Sequence, residues 1–152
     1  SMKSIEEEVH QKKWHNSHHK AVINILYTYH VLKENMASLL KPYKISFQQY
    51  NVLRILRGTH PLGLSSARIQ EKLIDRKSDV SRLINRIEKL GLIERRQNKT
   101  DKRISEVFLT LRGLEILGQI RVIDKFYKDK MPMKLTDEEA QLLSALLDKS
   151  RM

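Results

Sequence analysis

Between Ser78 and Thr110 the spacing of the apolar residues changes from helical to alternating, and no other feature constrains the fold as tightly. Val80, Leu83, Ile84, Ile87 and Leu90 recur at three- and four-residue steps and share one side of a helix wound at about 100° per residue. Ser78 is the expected N-cap, with Asp79 favouring the positive end of the helix dipole. Gly91 follows as a C′ residue able to close the helix in a left-handed conformation. Leu92 to Arg96 and Ile104 to Thr110 then alternate as two strands do, around a tip, Gln97 to Arg103, that has no apolar residue and is expected to be a mobile wing. An amphipathic helix that runs into a short hairpin must bury one face of each against a shared core.

The segments on either side supply that core. From about Ser4 to Leu40 the pattern is one long helix, broken early or continuous, with Val22, Ile25, Leu26, Tyr29, Leu32, Met36, Leu39 and Leu40 as its apolar positions. Pro42 ends it, and Ser46 caps a second helix whose stripe is Phe47, Tyr50, Val52, Leu53, Ile55 and Leu56. Gly58 to Gly63 reads as a loop. Ser65 caps a short helix, Ser66 to Leu73, which a turn of Ile74 to Lys77 separates from the helix at Ser78. Two short helices joined in this way form a helix-turn-helix. Beyond Thr110 a helix carries Leu114, Leu117, Ile120, Ile123, Phe126 and Tyr127, and after Pro132 a last one from Thr136 carries Ala140, Leu143, Leu146 and Leu147. The expected fold is mainly α with a small β-hairpin wing, in a single domain.

Charge is concentrated where the period changes. Residues 76–103 hold ten Lys and Arg against four Asp and Glu, a net of +6 within a chain whose formal net charge is +11. That density asks for a polyanionic partner. On the wheel, Ser78, Arg82, Asn85 and Lys89 cluster opposite the apolar face with Ser81 at the flank, and this polar face holds no carboxylate. It offers donors suited to base edges and phosphates, as a helix lying in a major groove of double-stranded DNA requires. Ser78, Ser81, Arg82 and Asn85 are candidates for base edges, whereas Arg86, Lys89, Arg95, Lys99 and Lys102 suit phosphates. A charge-rich helix face is ordinarily just solvated surface. The adjacent turn and wing favour DNA over that reading.

Composition removes several classes. The absence of cysteine excludes disulfide frameworks, thiol-based oxidant sensing and thiolate-ligated zinc. Ser1-Met2 has the form of a tag-cleavage remnant, and the acidic run Glu6 to Glu8 that follows is no signal peptide. No apolar run approaches the roughly 20 residues needed to cross a bilayer, so a cytoplasmic protein without a membrane partner is expected. His15, His18 and His19 are spaced so that two share a helix face, but without cysteine or a carboxylate partner they read as solvated, and neither a metal site nor a cofactor is expected. Trp14, Tyr27, Tyr29, Tyr43 and Tyr50 read as core or dimer contacts before pocket residues. With no phosphate loop, nucleophile elbow or metalloprotease motif, the chain is not read as an enzyme.

Four segments together resemble the MarR (multiple antibiotic resistance regulator) family of winged-helix transcription regulators. They are Ser65 to Leu73, Ser78 to Ile93, Asp101-Lys102-Arg103, and Leu109 to Gly113. The resemblance spans about residues 20 to 148. It implies a homodimer in which residues 4–40 and 114–150 form dimerisation helices around a winged helix-turn-helix lobe at 45–112. It further implies that Arg103, steadied by Asp101, reaches toward a minor groove. Function is then expected to be sequence-specific transcription regulation, as a repressor answering to a small-molecule effector, on a pseudo-palindromic operator. The effector itself stays open, and so does the His- and Lys-rich segment from His10 to Lys20, which lies outside the shared pattern. The alternative is a non-regulatory nucleic-acid-binding module, architectural or directed at RNA.

Overall fold

The computed structural model describes residues 2–130 and 133–152, with side chains given throughout except over 121–130. Ser1, Pro132 and the side chains of Ile123, Phe126 and Tyr127, which figured in the expectations above, lie outside the described residues. The helices are α1 (Ile5–Glu8), α2 (Ser17–Leu40), α3 (Phe47–Thr59), α4 (Ser66–Lys72), α5 (Val80–Lys89), α6 (Leu111–Lys130) and α7 (Asp137–Ser150). The strands β1 (Leu64–Ser65), β2 (Ile93–Gln97) and β3 (Ser105–Leu109) form an antiparallel sheet in the order β1-β3-β2. Two compact units result, one through Ile116 and the other from Leu117 onward.

In the first unit the long N-terminal helix is interrupted. Ser4 and Glu7 form a reciprocal capping box for α1, and His10 then takes a left-handed conformation (φ 52°) that ends it. Asn16 starts α2 afresh, its Oδ1 accepting the His19 N–H at 2.8 Å. α2 stops at Leu40 ahead of a 3-10 turn containing Pro42, as the proline dictates. Ser46 and Gln49 form a second capping box, at the start of α3. That helix runs through Gly58 to Thr59, so the loop expected from Gly58 onward begins only at His60. Its glycine is tolerated because Tyr50, Val52, Leu53 and Leu56 are buried along the preceding turns and carry the helix forward.

The core of this unit is where helix and hairpin were expected to meet. Ile69 and Leu73 beside α4, Val80, Leu83, Ile84 and Ile87 from α5, and Leu92, Ile93, Val107 and Leu109 from the hairpin are all buried. Leu90 departs from expectation: it is the C-cap of α5 and 41% exposed. The helix ends there because Gly91 (φ 75°) turns the chain, its N–H bonding to the Glu88 carbonyl at 2.9 Å and the Leu92 N–H to the Ile87 carbonyl at 3.4 Å. Thr110 fastens this turn to α6. Its hydroxyl donates to the Gly91 carbonyl at 2.7 Å and accepts the Gly113 N–H at 3.1 Å. Gly113 then lies so close to the Leu92 carbonyl that a Cβ would stand 2.2 Å from the oxygen.

Strand β1 was not anticipated. Two residues are too few to show alternation, and the strand exists through its pairing, Leu64 opposite Val107 and Ser65 opposite Glu106. In the second unit Leu117 and Ile120 of α6 are buried, and α7 opens on a capping box of Thr136 and Glu139. Among the described residues no helix is long and apolar enough to cross a membrane.

Candidate nucleic-acid interface

The second helix of the helix-turn-helix starts one residue later than its N-cap expectation. Asp79, not Ser78, is the cap, its Oδ1 accepting the Arg82 N–H at 3.1 Å. Ser78 instead closes the preceding turn, where its N–H reaches the Asp75 carbonyl at 3.3 Å and Asp75 Oδ1 accepts the Lys77 N–H at 3.0 Å. Two neighbouring cap residues compete here, and the turn takes the first. Ser78 is therefore half-buried beside the helix, where Gln48 Nε2 donates to its hydroxyl at 3.4 Å. Gln48, thirty positions away on α3, is a neighbour of this surface that no local pattern could reveal.

The rest of the helix divides as the wheel requires. Ser81, Arg82, Asn85, Arg86 and Lys89 are exposed, while Val80, Leu83, Ile84 and Ile87 anchor the opposite face. Of these exposed side chains, Asn85 is engaged from the wing: Arg95 on β2 donates to its Oδ1 and also lies 4.0 Å from Glu88. Arg95, expected to face phosphate, is thus turned toward the recognition helix.

On the outer side of β2, Arg96 pairs with Glu94 and lies 4.6 Å above the Phe108 ring. The wing tip is organised by Asn98. Its N–H bonds to the Ile104 carbonyl at 2.8 Å, and its Oδ1 accepts the N–H groups of Thr100 and Asp101 at 2.8 and 3.0 Å. Asp101 in turn receives Nε and Nη2 of Arg103, each at 3.0 Å, in a two-pronged pair that leaves the arginine side chain 90% exposed. This contact holds the Asp101 carboxyl below its ordinary pKa, helped by the Arg103 backbone N–H, and raises that of the guanidinium. Lys99 and Lys102 stand free in solvent on the same tip.

Elsewhere the N-terminal segment folds against α2. Glu6 pairs with Lys20, Trp14 donates to Glu6 at 3.3 Å, and Tyr27 donates to Glu8 at 2.7 Å. A cleft of about 650 Å³ opens between residues 2–8 and the part of α2 bearing Lys20, Asn24, Tyr27 and Thr28. The rings of His15 and His19 lie 5.0 Å apart, and among the described residues no group of three or more His, Asp or Glu is placed to hold a metal ion.

A capped helix with an exposed donor face, preceded by a short helix and turn and followed by a basic antiparallel wing, defines a winged helix-turn-helix protein of the DNA-binding type. A model of the MarR family matches residues 43–104. The chain is 25% identical over 115 residues to the HTH-type transcriptional regulator PrsX of Escherichia coli, covering 76% of this chain and 69% of that one. A MarR-like transcription regulator from Bacillus cereus ATCC 10987 superposes with a TM-score of 0.71 at 29% identity, over 84% of this chain and 91% of the other. A cysteine-to-serine variant of MarR from Escherichia coli, complexed with operator DNA, does so with a TM-score of 0.69 at 25% identity, over 86% and 95%. The chain belongs to the MarR family of transcription regulators.

Proposed function

We propose that this regulator is a ligand-responsive repressor that binds a pseudo-palindromic operator as a homodimer in the cytoplasm. The observation that carries the reading is the exposed face of α5, where Ser81, Arg82, Asn85, Arg86 and Lys89 stand outward from a helix whose other side is locked into the core. Such a helix fits a major groove, with Arg82 and Asn85 at base edges and Arg86 and Lys89 at phosphates. Arg103 is assigned to the adjacent minor groove, with Lys99 and Lys102 on the backbone. The operator-bound relative supports DNA as the partner.

Dimerisation is supported by apolar surface at both ends of the chain. Val22, Ile25, Leu26 and Tyr29 form an exposed stripe at three- and four-residue steps on α2, and Leu142, Leu143 and Leu146 are exposed on α7. Stripes of this kind mark helix–helix interfaces. Residues 4–40 and 114–150 are accordingly assigned to dimerisation and 45–112 to the DNA-binding lobe. Two-fold symmetry then places the half-sites about 34–36 Å apart. An effector would act through unequal affinity for the DNA-competent and incompetent arrangements of the two lobes.

Selecting bound fragments from the source organism's genomic DNA, followed by a screen for small molecules that release them, tests both halves of the proposal. A symmetric site and at least one releasing compound are expected. Binding without sequence preference would reduce the protein to a general nucleic-acid binder.

A further inference from the structure

A polar link joins the wing to the recognition helix. Arg95 of β2 donates Nη2–H to Oδ1 of Asn85 on α5, and its Nε lies 4.0 Å from Oε2 of Glu88. Arginine carries donors only, so the asparagine atom it meets has to be the carbonyl oxygen. The two amide N–H bonds of Asn85 are left for the groove.

We propose that Arg95 is a positioning residue that presents Asn85 as a hydrogen-bond donor, so that the protein reads an acceptor edge at this position, guanine or thymine, in preference to adenine. The inference rests on Asn85 being a base reader, as proposed above. An asparagine pairs with adenine by accepting from N6 and donating to N7 at once. The guanidinium takes one of the two lone pairs of Oδ1, so an N6 amine must bring its positively polarised hydrogens beside that charge to reach the other. Guanine presents O6 and N7 and thymine presents O4, all acceptors, and meets no such conflict. Glu88 places a carboxylate 4.0 Å from Nε of the same guanidinium, which offsets part of the charge Arg95 would otherwise offer to phosphates.

The test selects bound duplexes from a random pool with wild type, Asn85→Ala, Arg95→Met and the double variant, and measures each affinity against salt. Asn85→Ala is expected to relax the preference at one position per half-site, where wild type selects guanine or thymine. Arg95→Met should move that same position toward adenine by several-fold, keep the salt slope, and add nothing to Asn85→Ala in the double variant. Arg95 is on the surface, so an unchanged melting midpoint is expected to accompany the shift. Wild-type selection of adenine at the Asn85-dependent position overturns the proposal. So does an Arg95→Met variant that keeps its base preference while binding all duplexes more weakly, with a salt slope smaller by about 0.9, the signature of a phosphate contact. If Asn85→Ala alters no position, the base-reading role itself fails and takes the proposal with it, an outcome distinct from failure of Arg95 alone.

Discussion

Arg82 and Lys99 are both exposed cations, yet the proposed reading gives them different kinds of contact. Arg82 stands on the outer face of α5 next to Ser81 and Asn85, where a planar guanidinium can meet a guanine edge; Lys99 sits on the wing tip with neither neighbour. Arg82→Ala is expected to cost about 1–3 kcal/mol of discrimination at one base pair and to spare random DNA. Lys99→Ala should weaken every duplex alike and lower the salt slope by roughly 0.9. Titrations of operator and random duplexes at several salt concentrations separate the two, and equal losses for Arg82→Ala on both duplexes would remove it from the base-reading set. Gly113 acts through space alone. A Cβ there would press on the Leu92 carbonyl, so Gly113→Ala should destabilise the fold by about 1–3 kcal/mol in denaturant unfolding. A neutral result would mean that α6 can shift away from the hairpin freely.

At the scale of elements, the N-terminal segment carries the buried Ile5 and is joined to α2 by polar contacts, the Glu6–Lys20 pair among them. Lys20 holds the Glu6 carboxyl at a pKa of about 2, well below the ordinary 4.5. A depressed carboxylate contributes stability above its unfolded pKa and loses it as pH falls toward the folded one. Docking of residues 2–16 should therefore persist above about pH 4.5 and weaken between there and about pH 2. Trp14, the single tryptophan, donates to Glu6 and reports the event by its fluorescence. Glu6→Gln should abolish this acid transition while the far-ultraviolet circular dichroism stays native. A transition that survives in Glu6→Gln would assign it to another group. The wing shows the same economy of local ties. Asn98 orders the tip, and Asp101 aims Arg103, so Arg103→Ala should reduce DNA affinity with an unchanged melting midpoint, because an exposed ion pair contributes little to folding.

For the whole molecule, the proposed dimer rests on the exposed stripes on α2 and α7. Leu26→Glu introduces a charge in the middle of the α2 stripe without touching the core of the winged lobe, since Leu26 is 58% exposed. Light scattering is expected to find a folded monomer whose operator affinity falls by orders of magnitude, as a half-site contact replaces a paired one. A variant that stays dimeric would move the interface off this face.

Much of this was legible in the chain itself. Periodicity placed the apolar face of α5 in the core, Ser46, Ser65 and Thr136 marked three helix starts, and Gly91 marked a helix end, because each rests on interactions within a few residues. The exposed donors Ser81, Arg82, Asn85 and Lys89 followed from the same wheel. What depended on distant partners was hidden. Strand β1 exists only by pairing with β3, and Ser78 lost its capping role to a turn and is met by Gln48. The contact of Arg95 with Asn85, ten residues back along the chain, was hidden in the same way, since spacing gave Arg95 only as a candidate for phosphates. Local chemistry marked which residues offer donors on the surface, and only the tertiary structure decided which of them meet one another.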